Sequence, residues 1–356
     1  MALKDTVSRA YSNWMAGSGP ENDIVISSRI RVARNMSHFA FPHMLSLEKA
    51  EEVIHALTLA LENKDLKFSS GHLEVSRMSE LSPVERQILV EKHLISPDLL
   101  KGHEKKAIAL RDDEVLSIMV NEEDHLRVQS LLPGLQLESA WDQVNRLDDE
   151  LEKTLDYAFS ERLGYLTACP TNVGTGLRAS VMVHLPGLVH TDQIKGVLNT
   201  VSKIGLTVRG LYGEGTEAAG NLFQISNQVT LGHSENEIIQ NIVSVTKQLQ
   251  EREKTARKAL YNERRSQLED RIGRSYGILK YARILSTDEA MKRFSDLRLG
   301  IDLNIITDTK PELVTELMVL TRPAFLVSKA GSDMTAFERD VKRAELVRNK
   351  LKGKSN

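Results

Sequence analysis

Five arginines are associated with strands, Arg29, Arg31, Arg127, Arg178 and Arg209, and two glutamates, Glu123 and Glu214, lie in loops. A guanidinium is a fixed positive charge with a planar donor fork that matches phosphate oxygens two at a time. Between them lies Cys169 to Ser180, CPTNVGTGLRAS, which holds the only cysteine and two closely spaced glycines. Glycines and small polar residues let backbone amides come close to an anion. Carboxylates at strand ends can face a substrate as a base. The chain has no Walker lysine motif, no HRD or DFG run, and no His/Cys/Asp cluster at zinc spacing. Arginines without lysines therefore suggest recognition of a polyphosphate. Phosphoryl transfer needs in-line positioning and neutralised oxygens, with Mg²⁺ supplying the rest. Taken singly, each piece also has a plainer reading. The arginine pair could line a solvated strand face, the thiol could be buried and inert, and the three acids around Glu123 could form a solvated turn.

The elements that must position these residues can be read from periodicity. Ile24 to Ala33, IVISSRIRVA, alternates with a period of two and reads as a strand. Ile24, Ile26, Ile30 and Val32 are expected on one face, and Arg29 and Arg31 on the other, about 7 Å apart. Residues 1 to 22 read as an arm over that strand. Ser46 to Leu61 is an amphipathic helix capped by Ser46. Ser82-Pro83-Val84-Glu85 is a capping box opening a helix that ends near His93. Ala107 to Leu110 and Val115 to Val120 form a hairpin around Asp112-Asp113, followed by the acidic turn and a strand carrying Arg127. Helices are expected from Ser139 and from Thr191. A strand from Leu206 to Tyr212 carries Arg209 into a loop, Gly213 to Gly220, whose composition suits a lid over substrate. Ser234 to Glu237 caps another helix. Beyond about residue 250 the chain reads as long charged helix, with further helices from Ser286, near Pro311, and through Arg339 to Ala344.

With 356 residues, the chain is long enough for a large domain and a smaller one. Its 41% hydrophobic and 27% charged content is that of a soluble globular protein. A formal net charge of −2 gives no global argument for nucleic acid. A single cysteine excludes an internal disulfide and fits a reducing cytosol. No signal peptide and no run long enough to span a membrane is visible.

Four segments, SSRIRVARN, VNEEDHLRV, CPTNVGTGLRASV and VRGLYGEGTEAAGNLFQISN, resemble the signatures of the phosphagen (guanidino) kinases. They occur in family order across roughly residues 22 to 255. The resemblance implies an α+β fold, a largely antiparallel sheet flanked by helices over residues 1–256, followed by a smaller helical domain over 257–356. It implies that the five arginines clamp the phosphates of ATP. The nucleotide would be bound by Ser27, Ser28, Arg29, Ile30 and Arg31, by Arg127, by Arg178, Ala179, Ser180, Val181 and Met182, and by Arg209, Gly210, Leu211, Tyr212, Gly213 and Glu214. Glu123 and Glu214 would hold the acceptor guanidinium with Cys169 beside it, and His93 falls where the family has an adenine-contacting histidine. Mg²⁺ would be held mainly through ATP rather than by protein ligands.

The departures narrow the expectation. Phosphagen kinases begin with a helical domain that closes over a small guanidino substrate, and no such segment is found here. Met182 stands where many of them have a histidine. The C-terminal stretch contains RDVKRA, an arrangement similar to the bacterial protein arginine kinases, in which an RDxxRA motif senses phosphoarginine. On this chain that motif falls on Arg339, Asp340, Arg343 and Ala344. The resemblance thus implies an ATP-dependent kinase acting on arginine side chains of proteins. It also implies a cytoplasmic stress role marking proteins for a Clp-type unfoldase and protease, a small activator protein, and a homodimer through the C-terminal domain. Two alternatives stay open: a non-catalytic phosphoarginine-binding adaptor of the same fold, and a small-molecule arginine or guanidino kinase.

Overall fold

The computed structural model describes residues 3–9, 11–62, 71–210 and 218–353. A short helix, α1 (Leu3–Ser8), precedes the ten-residue strand β1 (Val25–Arg34). Next come α2 (Leu47–Glu62), β2 (Leu73–Arg77), α3 (Pro83–Glu91) and the strands β3 (Ala107–Arg111), β4 (Leu116–Val120) and β5 (Leu126–Pro133). After α4 (Leu137–Glu152) a two-residue hairpin, β6 (Phe159–Ser160) with β7 (Gly164–Tyr165), leads into β8 (Leu177–His184). Then come α5 (Pro186–His190), α6 (Ile194–Lys203), β9 (Leu206–Gly210) and β10 (Leu222–Asn227). Six helices follow: α7 (Glu235–Glu263), α8 (Arg265–Tyr281), α9 (Thr287–Asp302), α10 (Pro311–Leu320), α11 (Pro323–Ala330) and α12 (Ala336–Leu351).

The eight longer strands form one sheet in the order β2-β3-β4-β5-β1-β8-β10-β9, antiparallel throughout. β1 sits between the two later arms of the chain, so it receives the β5 arm on one edge and the β8 arm on the other. Helix starts follow their caps. Ser82 with Glu85, Ser234 with Glu237 and Thr335 with Glu338 each close a reciprocal capping box.

Several boundaries differ from the sequence expectation. The helix expected from Ser139 begins at Leu137, and the one expected from Thr191 begins at Ile194, behind the separate short turn of α5. The strand carrying Arg209 ends at Gly210 among the described residues. The charged helix beyond residue 250 is two helices, broken at Arg264, whose φ of −134° and ψ of 36° are not helical. Ile26 does not share the face of Ile30. The pairing of β1 with β8 shifts register between Val25 and Ser27, and Ile26 packs in a different core from Ile24, Ile30 and Val32. An extra residue in one strand reverses the alternation, which period-two reading cannot foresee.

Two large cores result. One fills the sheet face holding Ile30, Val32, Val128 and Val181, and is closed by α2, α4 and α7 through Val53, Val144 and Ile242. The other starts from Ile26, Ile108, Met119 and Leu131 and takes in Trp14 and Met15 of the N-terminal arm and Ile88 of α3. It continues without a break into Phe294, Leu317, Phe325 and Val347 of the C-terminal helices. The division expected at residue 256 falls within the unbroken helix α7. A buried ionic clip reinforces the junction. Glu253 accepts the backbone N–H groups of Gly187 (2.8 Å) and Leu188 (2.9 Å) and pairs with Arg257 at 2.7 Å. Arg257 and Arg298 both reach Asp302, at 3.2 and 3.0 Å. No described helix is long and apolar enough to cross a membrane.

Candidate active site

Strand register brings the arginines together. On β1, Arg31 lies opposite Arg178 of β8 and Gln129 of β5, and Arg29 lies opposite Ser180. Gln224 of β10 lies between Met182 and Arg209. Because side chains alternate, these polar residues project away from the first core while Ile30 and Val32 enter it. Arg31, Arg127, Arg178 and Arg209 line one cleft of about 380 Å³ together with Glu122, Glu123 and Cys169. Arg29 turns aside, donating from Nη2 to Gln224 at 2.9 Å, and lines two adjoining cavities with His93. Ser27, Ser180 and Met182 line one of these with it. Ser28, Ile30, Ala179 and Val181 are buried, the last three in the first core or its strands, so they shape the floor. Gly210 ends β9. Glu214, with Leu211, Tyr212 and Gly213, lies outside the described residues.

Among the described residues the cleft sets four guanidiniums against the carboxylates of Asp98, Glu122 and Glu123. Arg31 has its pKa held well below the ordinary guanidinium value, first by burial and then by Arg29, Arg127 and Arg178. Arg178 is lowered by burial, then by Arg209 and Arg127. The Nε atoms of Arg31 and Arg178 are buried without a hydrogen-bond partner. Guanidinium does not deprotonate near neutrality, so the strain is relieved by an anion rather than by a lost proton. Glu122 and Glu123 both pair with Arg127, Glu123 at 2.8 Å to Nη2. They differ in setting: the Glu122 side chain is 3% exposed and accepts from Ser96, whereas that of Glu123 is 44% exposed. Only Glu123 is free to meet a substrate from solvent.

Two buried groups hold the turn that carries Cys169. Asp124 accepts from the Ala168 N–H and from Asn35, both at 2.7 Å. Burial raises its pKa despite those bonds. Arg34 binds Asp148 through Nε (2.9 Å) and Nη2 (2.6 Å), donates to the Thr175 carbonyl at 2.9 Å, and lies 3.5 Å from the Tyr165 ring centre. Gly176 (φ +65°) runs so close to β1 that a Cβ would stand 2.6 Å from the Ala33 carbonyl oxygen. Cys169 itself is partly exposed, its Sγ 3.0 Å from the Thr171 hydroxyl.

His93 has a left-handed backbone (φ 60°) and packs edge-on to Trp14 with ring centres 5.4 Å apart. Its pKa falls to about 3, through burial first and then Arg29 and Arg322. It is therefore a neutral ring. Sequence reading missed Glu122, Ser96, Asp124 and Gln224. The first two are ordinary polar residues until the fold pairs them, and Asp124 stood in an acidic run that looked solvated.

In the C-terminal motif, Arg343 is buried. It donates to the carbonyls of Thr321 and Leu285, both at 2.8 Å, and to Asp340 at 2.5 Å. Arg339 is partly exposed and donates to the Met334 carbonyl at 2.7 Å, and Ala344 is buried. Although one helical turn apart, the two arginines thus occupy different surroundings.

Comparison with known proteins gives the family. The family described as "ATP:guanido phosphotransferase, C-terminal catalytic domain" matches residues 52–256, and "Protein-arginine kinase McsB C-terminal domain" matches 265–356. A protein-arginine kinase of Pelotomaculum thermopropionicum is 61% identical over 99% of this chain and 99% of its own. One from Desulforamulus reducens is 58% identical over the full length of both. Among solved structures, a lombricine kinase is 29% identical with a TM-score of 0.57, over 67% of this chain and 68% of that one. On the matched length and the identity, the chain belongs to the protein-arginine kinases of the ATP:guanido phosphotransferase family.

Proposed function

We propose that this protein transfers the terminal phosphoryl group of ATP to the guanidinium of arginine side chains in other proteins. The observation that carries the reading is the cleft in which four arginines, two of them (Arg31 and Arg178) with a buried Nε lacking a partner, face a solvent-reachable carboxylate and a thiol. A guanidinium has a pKa above about 12 and is no nucleophile until it gives up a proton. Glu123, assisted by Glu214, aligns the acceptor and takes that proton as the N–P bond forms and the bond from phosphorus to the ADP oxygen breaks. Arg31, Arg127, Arg178 and Arg209 hold the phosphate oxygens, and positioning of this kind supplies about 7 to 11 kcal/mol in well-oriented cases. Cys169 helps orient the guanidinium. Among the described residues no cluster of three or more His, Cys, Asp or Glu is placed to hold a metal. Mg²⁺ would enter as the counter-ion of ATP, where it would neutralise phosphate charge.

Finer parts of the reading rest on family membership. They are a cytoplasmic homodimer formed through the helices after residue 256, a small activator protein, and a stress role in which the mark directs proteins to a Clp-type protease. Arg339, Asp340, Arg343 and Ala344 would form a phosphoarginine sensor, in which Arg343 orients Asp340 from beneath.

The test is incubation with Mg-ATP and either a protein mixture or free arginine, followed by mass spectrometry. Phosphoarginine on protein supports the reading. Equal phosphorylation of free arginine would return the chain to the small-guanidine kinases, and no product with either acceptor would favour a binding role.

A further inference from the structure

We propose that Arg322, supplied by the C-terminal helices, binds the phosphates of the nucleotide nearest the nucleoside. The inference rests on the nucleotide-binding reading of the cleft and names a residue outside the strand-borne arginines. Arg322 is the N-cap of α11, with Pro323 fixing the first helical position. Its backbone is pinned on both sides. The Thr321 carbonyl accepts from Arg343 at 2.8 Å, and the Arg322 N–H donates to Val319 at 2.9 Å. Glu91, at the end of α3, accepts the N–H groups of Ala324 (3.0 Å) and Phe325 (3.3 Å). Glu91 is two residues from His93, so one buried carboxylate fixes the base of Arg322 relative to that ring.

The side chain lines a cavity of about 370 Å³ together with Arg29, Arg31, His93 and Gln224. Arg31 and Gln224 also line the first cleft, so the two chambers adjoin. Among the described lining residues the one carboxylate is Glu91, and both its oxygens already serve α11. Three guanidiniums thus face a chamber with one carboxylate, whose charge already acts on Arg322, and the positive charge in excess favours an anionic ligand. Cys169 and Glu123 line only the first chamber, which assigns the transferred phosphoryl group there and the inner phosphates to Arg322. Such a contact makes nucleotide affinity depend on how the C-terminal helices are seated.

The experiment is calorimetry of the full-length protein with Mg-ADP and with adenosine, beside steady-state kinetics and thermal melts, on wild type, Arg322→Ala and Arg322→Lys. Loss of one charge-assisted contact predicts about a tenfold weaker ADP affinity in Arg322→Ala. Adenosine affinity and melting temperature should hold, and KM for ATP should rise with kcat little changed. Lysine should recover part of the loss, since it keeps the charge without the fork. Arg322→Gln replaces the alanine variant if that fails to fold. ADP affinity within about twofold of wild type, or equal losses for ADP and adenosine, overturns the assignment. A wild type that binds no nucleotide would instead overturn the kinase reading as well.

Discussion

Glu122 and Glu123 are neighbours in the chain with opposite surroundings, and the difference divides their work. Glu122 is buried against Arg127 and Ser96, so its removal leaves Arg127 held by the exposed Glu123 alone. Glu122→Gln should raise KM for ATP more than it lowers kcat. Glu123→Gln should cut kcat by about 10² to 10⁴ with ADP affinity little changed, as expected for loss of a general base. Kinetics and calorimetry on the two variants side by side check the division. His93 gives a pH prediction. Its folded pKa of about 3 lies below the unfolded value of about 6.5. Over that interval the unfolded chain binds a proton that the folded one refuses, so this contribution to stability is lost as pH falls. His93→Asn, which tolerates the left-handed backbone, should flatten the acid side of the stability curve relative to wild type, as read by denaturant unfolding at pH 7 and pH 4. The arginines were legible because they fall within segments that resemble the family signatures, whereas an arginine pair on an alternating strand also fits a solvated face. The role of Glu122 was not, since burial alone separates it from its neighbour.

At the scale of elements, the turn between β7 and β8 depends on a close approach to β1. Gly176→Ala would force a Cβ against the Ala33 carbonyl and strain a left-handed backbone. A cost of about 1 to 3 kcal/mol is expected from the backbone conformation, with the collision in addition. Urea unfolding should register the loss, and kcat should fall with it because the turn carries Cys169 and leads directly into Arg178 of β8. A variant as stable and as active as wild type would show that the strand can yield. Most elements could be read from caps and period: the boxes at Ser82, Ser234 and the helix from Ser286 stand as expected. The bulge at Ile26 could not, because a one-residue insertion leaves no mark on composition. The break at Arg264 was equally hidden among charged residues that all favour helix.

At the scale of the whole molecule, the second core joins two sequence regions into one folding unit. Met15, Met78, Ile88 and Leu94 pack with Phe294, Leu297 and Leu317. A chain ending at residue 256 would expose the first group to water, and it would also lose Asp302 and Arg298 from the ionic clip. Burial of each large apolar side chain is worth about 1.5 to 3 kcal/mol, so the truncated piece should not fold cooperatively. It should bind a hydrophobic dye and lack near-ultraviolet circular dichroism, whereas the full chain should melt in a single transition. Native-like spectra from the fragment would mean that the first core suffices. The compositional shift near residue 250 was visible in the sequence, and the family matches change over between residues 256 and 265. What composition could not reveal is that apolar contacts cross that line, because a helix face facing another domain reads the same as one facing its own.

The edge-on packing of Trp14 on His93 makes the chain its own optical probe. The only other tryptophan, Trp141, packs on α4 against the opposite core. In a Trp141→Phe background all indole emission comes from beside the cavity that His93 lines, so occupancy by the proposed nucleotide can be followed by fluorescence titration without a label.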